Sequence, residues 1–203
     1  MKNYNDEFIV PIYKEEENIK ELWGSGFFIG SYLISAAHVF KESSQYFVKY
    51  NNKYYPLKNF IYRKYNKYNK IEKAREDLQI YYLKDIKSPC TLFQGTYIWG
   101  TTLCLDGYSF DEKKKKENRD FIKETIKDNA YGYENPKKPN RLINCFSIYP
   151  SAKSGNSGCP IIVGNIVYGM IISGFVGENT EKYGSVAIRS DYINKILQIL
   201  KSR

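Results

Sequence analysis

One histidine stands in the 203 residues, His38, at the end of the run Tyr32-Leu33-Ile34-Ser35-Ala36-Ala37. Far downstream, Ser154-Gly155-Asn156-Ser157-Gly158-Cys159-Pro160 sets a serine between two glycines and opens into the apolar stretch Ile161 to Val163. A hydroxyl is a weak nucleophile until a base takes its proton, and that base must be held in one tautomer by a third group, usually a carboxylate. Asp77, immediately before Leu78-Gln79-Ile80-Tyr81-Tyr82-Leu83, fits the third role. Glu76 has a longer arm, and Asp85 follows the strand. This reading puts Asp77 at the start of a strand, partly buried. Glycine at 155 permits the backbone dihedrals that aim the N–H groups of Gly155 and Ser157 at one spot. Such a pair can stabilise an oxyanion, with on the order of 3 kcal/mol per donor. Each residue alone has an ordinary alternative: a loop between strands, a structural histidine, a turn carboxylate.

The elements that must position these groups are mostly strands. Short β-branched and aromatic stretches recur at Phe27 to Ile29, Tyr32 to Ile34, Tyr46 to Val48, Leu78 to Leu83 and Thr101 to Leu105. Others follow at Leu142 to Ile148, Ile161 to Val163, Ile166 to Ile172 and Gly184 to Ile188. Glycine, asparagine and proline punctuate them. The pattern predicts a mostly-β chain of barrels or sandwiches, barrels having no exposed edges. One helix is predicted at the C-terminus, capped by Ser190, with Ile193, Ile196, Leu197 and Leu200 on one face. Asp111 to Arg119, with four consecutive lysines, reads as a solvated loop, and Ile86 to Gly95 as a linker between two strand-rich halves.

Composition narrows the classes. The four cysteines are scattered and read as free thiols, while a single histidine leaves no set of ligands at zinc spacing, so no metal or cofactor is expected. The polar first twenty residues hold no signal-like or membrane-spanning run, which predicts a cytoplasmic protein without membrane contact. The net charge of +9 accompanies abundant Lys, Asn, Ile and Tyr, a composition that a biased genome produces as readily as a basic function does.

Three segments together resemble a known family. Ile34-Ser35-Ala36-Ala37-His38, Asp77-Leu78-Gln79-Ile80 and Gly155-Asn156-Ser157-Gly158 are similar, in content and in order, to the signatures of chymotrypsin-like serine peptidases. The resemblance extends to Leu105-Asp106-Gly107-Tyr108, which resembles the opening of the second barrel, and to Gly169 to Gly174, which resembles the substrate-pairing strand. Gly184 to Ser190 followed by a helix, and asparagine before the serine, resemble the bacterial high-temperature-requirement branch. The resemblance implies a single peptidase unit of two packed antiparallel β-barrels with a C-terminal helix. Residues 1–90 would form the first barrel, with His38 and Asp77, and residues 91–203 the second, with Ser157. It implies a His38, Asp77, Ser157 triad, an oxyanion hole from Gly155 and Ser157, and substrate contacts at Ser151, Ile172, Ser173 and Gly174.

Departures from the family pattern matter as well. Val39 and Asn156 replace the cysteine and aspartate of secreted digestive members, which speaks against activation by a freed N-terminus. Ser151 at the pocket position does not support a preference for Lys or Arg, although Glu178 or Glu181 nearby could supply an acid. Cys159 replaces a glycine and either narrows the pocket floor or packs as a small buried hydrophobe. The expected partners are a protein or peptide substrate and a regulatory protein. A binding module without activity is the alternative. Nucleic-acid binding, suggested by basic and aromatic residues from Lys49 to Lys70, is disfavoured for want of a recognised motif.

Overall fold

The computed structural model describes residues 8–41, 43–69, 74–111, 116–132, 140–149, 152–153, 155–176 and 183–202. Two sheets account for most of them. The first is built from β1 (Ile9–Glu16), β2 (Ile19–Ile29), β3 (Tyr32–Ser35), β4 (Gln45–Tyr50), β5 (Lys53–Pro56), β6 (Phe60–Asn69) and β7 (Ala74–Tyr82), in the order β5-β4-β1-β2-β3-β7-β6. All its pairings are antiparallel, and hairpins such as β4–β5, turning at Asn51 and Asn52 with positive φ, keep the connections short.

The second sheet holds β8 (Thr91–Leu92), β9 (Thr102–Asp111), β10 (Lys116–Gly132), β11 (Asn140–Tyr149), β12 (Pro160–Val163), β13 (Ile166–Val176) and β14 (Tyr183–Arg189). Its order is β12-β9-β10-β11-β14-β13-β8, and β12 also pairs with β13, so six strands close on themselves with β8 outside. The two-residue β8 runs parallel to β13, the one departure from the antiparallel arrangement among the described pairings. The chain therefore has the expected mostly-β, two-barrel chymotrypsin-like architecture with a single helix, α1 (Ser190–Lys201), at its end.

Alternation along the strands decides what goes inside. In β9, Leu103 and Leu105 are buried while Thr102 is exposed, and on β10 the inward row is Asp120, Ile122, Glu124 and Ile126. The second barrel fills with Leu103, Leu105, Ile126, Phe146, Ile161 and Ile171. The other core runs from Phe27, Phe28, Leu33 and Ile80 of the first sheet to Met170, Ile188 and the helix residues Ile193 and Leu197.

Two local expectations are corrected. Ser190 is the first helical residue rather than the cap. Its hydroxyl donates to the Phe93 carbonyl at 2.7 Å, and its N–H donates to Tyr97 Oη at 2.9 Å, tying the helix start to the chain before β9. Asp111 ends β9 and Lys116 to Arg119 begin β10, so much of the expected solvated loop is a strand pair whose end stays largely exposed; residues 112–115 lie outside the described ones. The stretch from Ile86 to Gly95 runs between the two sheets and packs against them, with Ile86, Cys90 and Leu92 buried and Ser31 Oγ donating to the Ile86 carbonyl at 2.7 Å.

Candidate active site

β3 ends at Ser35, and the chain passes through Ala36 into one 3-10 turn, Ala37–Val39, closed by the Val39 and Phe40 N–H groups on the carbonyls of Ala36 and Ala37. Both alanines are fully buried, and their small side chains let the turn sit against the neighbouring chain while His38 points outward. β3 pairs with β7 through Ile34 and Ile80, which brings Asp77 alongside the turn. Asp77 lies three residues inside β7 and has no exposed surface, so it is neither at a strand start nor partly buried as the sequence suggested. Its neighbour Glu76 engages Lys64 Nζ at 2.6 Å and the hydroxyl of Tyr192 on α1 at 2.8 Å. Alternation along the strand thus separates two adjacent carboxylates into two tasks.

His38 Nδ1 lies 2.6 Å from Asp77 Oδ2, and the His38 backbone N–H donates to Asp77 Oδ1 at 2.9 Å. On the other side, His38 Nε2 is 2.9 Å from Ser157 Oγ. The His38 side chain keeps 31% of its surface exposed, while Asp77 keeps none. The imidazole is thus anchored on a buried carboxylate and remains partly open to solvent. Tyr65, opposite Asp77 in the β6–β7 register, sets its ring centroid 6.5 Å from that of His38.

The serine sits in a turn wedged between the two barrels. Gly155 has φ +89° and Gly158 φ +84°, a region that glycine enters freely. A Cβ on Gly155 would press on the Tyr108–Ser109 backbone of β9, and one on Gly158 would collide with the Ser25 carbonyl and the Ser35 hydroxyl of the first sheet. Between the glycines, the Ser157 carbonyl accepts from Ser25 N–H at 2.9 Å, and Gly158 N–H donates to the Ile171 carbonyl at 2.8 Å. Among the described residues neither Gly155 N–H nor Ser157 N–H meets a backbone acceptor.

Ser25 is a contact that sequence reasoning missed. Its hydroxyl accepts from Tyr108 N–H at 2.8 Å and lies 3.2 Å from the Gly155 carbonyl, so one buried side chain joins β2, β9 and the turn that carries Ser157. The only signal was its place in Gly24-Ser25-Gly26. Two further groups beneath the turn were missed, Asp120 and Lys153. Asn156 Nδ2 donates to Asp120 Oδ2 at 3.1 Å, and Lys153 Nζ lies 2.6 Å from Asp120 Oδ1. Burial opposes the charge of Asp120, but hydrogen bonds from Lys153, Ser109 and Asn156 and the lysine charge outweigh it and hold the carboxyl below its ordinary range.

The remaining predicted positions divide. Ile172 is buried on β13, at the irregularity between Ile171 and Ser173, and Ser173 and Gly174 continue that strand against Val186 and Ser185 of β14. β12 accompanies β13 only to Met170. Ser151, Glu178 and Glu181 lie outside the described residues. Cys159 packs fully buried against Gly107 inside the second barrel, and burial pushes its thiol well up, so it is a core residue. No disulfide joins the four cysteines. Among the described residues no cluster of three or more His, Cys, Asp or Glu is placed to hold a metal, and no helix is long and apolar enough to cross a membrane.

No family model and no curated protein matches the sequence. Solved structures do. The Rv3671c protease from M. tuberculosis in its active form superposes with a TM-score of 0.69 at 16% identity, over 94% of this chain and 79% of that one. The inactive form of the Rv3671c protease gives 0.65, also at 16% identity, over 94% and 87%. At that identity the likeness speaks for the fold, and it covers both barrels: this chain has the chymotrypsin-like fold.

Proposed function

We propose that the protein is a serine endopeptidase. The observation that carries the reading is the unbroken series from Asp77 Oδ2 to His38 Nδ1 at 2.6 Å and from His38 Nε2 to Ser157 Oγ at 2.9 Å. A general base must lie within about 2.6–3.2 Å of the proton-bearing atom it serves, and both links satisfy that range. The proteases found among the solved structures support the same reading through the shared fold.

In the proposed reaction, Ser157 Oγ adds to the carbonyl carbon of a peptide bond while His38 Nε2 takes the hydroxyl proton. The carbonyl π pair moves to oxygen, where the Gly155 and Ser157 N–H groups receive the negative charge. The C–N bond then breaks as His38 returns its proton to the leaving amine, and an ester on Ser157 remains. Water attacks the ester, His38 takes the water proton and passes it to Ser157 Oγ, and the acid product leaves. Asp77 keeps its negative charge throughout, orients the ring and stabilises the imidazolium.

Because β13 runs past the end of β12, the stretch from Ile172 to Gly174 suits an extended substrate added as a strand. Four thiols without a disulfide suit a reducing compartment, so a cytoplasmic peptidase of narrow specificity, restrained by a protein partner, completes the proposal. The test is cleavage of a proteome-derived peptide library, with cuts mapped by mass spectrometry. Wild type should cut at a restricted set of sites, and Ser157→Ala at none. Equal cleavage by both would refute it.

A further inference from the structure

We infer that Asp120 and Lys153 are positioning residues for the oxyanion site, acting through the side chain of Asn156; the inference rests on the peptidase reading above. Asn156 lies between the residues that carry the two donor N–H groups, and it is fully buried. Both Nδ2 protons and Oδ1 are engaged. Nδ2 donates to Asp120 Oδ2 at 3.1 Å and to the Tyr108 carbonyl at 3.1 Å, and Oδ1 accepts from Lys153 N–H at 2.7 Å. The Asn156 backbone N–H closes back on the Lys153 carbonyl at 3.1 Å.

The direction of these bonds matters. An ionised carboxylate only accepts, so Asp120, together with the Tyr108 carbonyl, holds the Nδ2 end of Asn156 and leaves its Oδ1 end to Lys153 N–H. A neutral amide at 120 could satisfy either orientation. Asp120 is 6% exposed, on the inward face of β10 opposite Gly107, and a carboxylate so placed keeps its charge only with a cation and donors around it. Lys153 supplies that cation from within the same turn, its ammonium 2.6 Å from Asp120 Oδ1. Lys153 thus grips Asn156 with its main chain and Asp120 with its side chain, closing a triangle beneath Gly155 and Ser157. Nothing in the triangle touches the reacting atoms. Its effect is to remove the freedom of the turn before substrate arrives, where a donor displaced by a fraction of an ångström loses most of its catalytic worth.

The experiment compares Asp120→Asn, Lys153→Met and Lys153→Arg in the full chain, by steady-state kinetics on a cleaved peptide, by affinity for the matching peptide aldehyde and by NMR amide exchange. Asp120→Asn should lower kcat about 10- to 100-fold with KM changed by less than about threefold, and weaken the aldehyde in parallel with kcat/KM. Lys153→Met should do the same to a smaller extent, and Lys153→Arg should restore most of the loss. The Asn156 and Cys159 amides should exchange about tenfold faster in the two damaging variants, with the Ile34 amide in the first sheet unchanged. Should Asp120→Asn not fold, the Lys153 pair carries the comparison, because that side chain is 60% exposed and its replacement spares the core. Unchanged kcat and unchanged turn exchange would overturn the inference, as would faster exchange spread evenly over both barrels. If wild type cleaves nothing, the peptidase reading fails, and the exchange comparison still decides whether Asp120 and Lys153 order the turn.

Discussion

Asp77 meets His38 twice, its Oδ2 at the ring Nδ1 and its Oδ1 at the main-chain N–H. One carboxylate therefore fixes both the tautomer of the imidazole and the turn that carries it. Asp77→Asn can satisfy only one of these contacts in the native sense, because an amide donor facing Nδ1 forces the proton to Nε2, the atom that must accept from Ser157. We expect kcat for peptide hydrolysis to fall about 10⁴-fold with little change in KM. A loss below tenfold, in a variant with native melting behaviour, would show that Asp77 does not orient the base.

Ser25→Ala probes the joint between the barrels. The alanine keeps its N–H on the Ser157 carbonyl but abandons the buried Tyr108 N–H, and leaving one such donor unsatisfied costs about 1–3 kcal/mol. The melting temperature should drop by about 5 °C. The kcat should fall less than in Asp77→Asn, since the bond to the Ser157 carbonyl survives. An unchanged melting temperature would contradict the role assigned to Ser25.

How much of this was legible in the sequence depended on how local each signal was. His38 and Ser157 stood out because the residues that shape their surroundings, Ala36, Ala37, Gly155 and Gly158, are their sequence neighbours. Asp77 was found by its place before an apolar run, yet its depth in β7 was not, because burial depends on the pairing of β7 with β3 and β6. Ser25 carried only its place between Gly24 and Gly26 as a local mark, and Asp120 carried none. Their partners Gly155 and Asn156 are 130 and 36 residues away, and only packing of the two sheets and closure of the second bring them together. The hairpin of β9 and β10 was hidden for a different reason: its strands extend past the core, so their ends are charged on both faces and lack the alternation that marks a half-buried strand.

Glu124 offers a test of the second barrel that is independent of catalysis. It is fully buried on the inward face of β10, neither carboxyl oxygen has a hydrogen-bond partner among the described residues, and burial pushes its carboxyl up to about 8. A raised pKa means that the folded chain binds the proton more tightly than the unfolded one, so this group favours folding most below pH about 4.5 and the advantage is lost as pH rises through about 8. Between those limits the loss is roughly 2–5 kcal/mol. Urea denaturation of wild type should show that decline relative to Glu124→Gln, which has no proton to lose and retains the shape. Parallel pH curves for the two would mean that the carboxyl is not held protonated.

The central claim is that Ser157 is activated by His38, and covalent labelling by a fluorophosphonate reads that directly, because an unactivated serine does not react at a comparable rate. Intact-mass analysis should show one adduct on wild type, peptide mapping should place it on Ser157, and the labelling rate should collapse in His38→Ala and fall strongly in Asp77→Asn. Absence of an adduct, or an adduct on Ser157 that forms equally fast without His38, would contradict the account and leave the chain as a peptide-binding member of the fold.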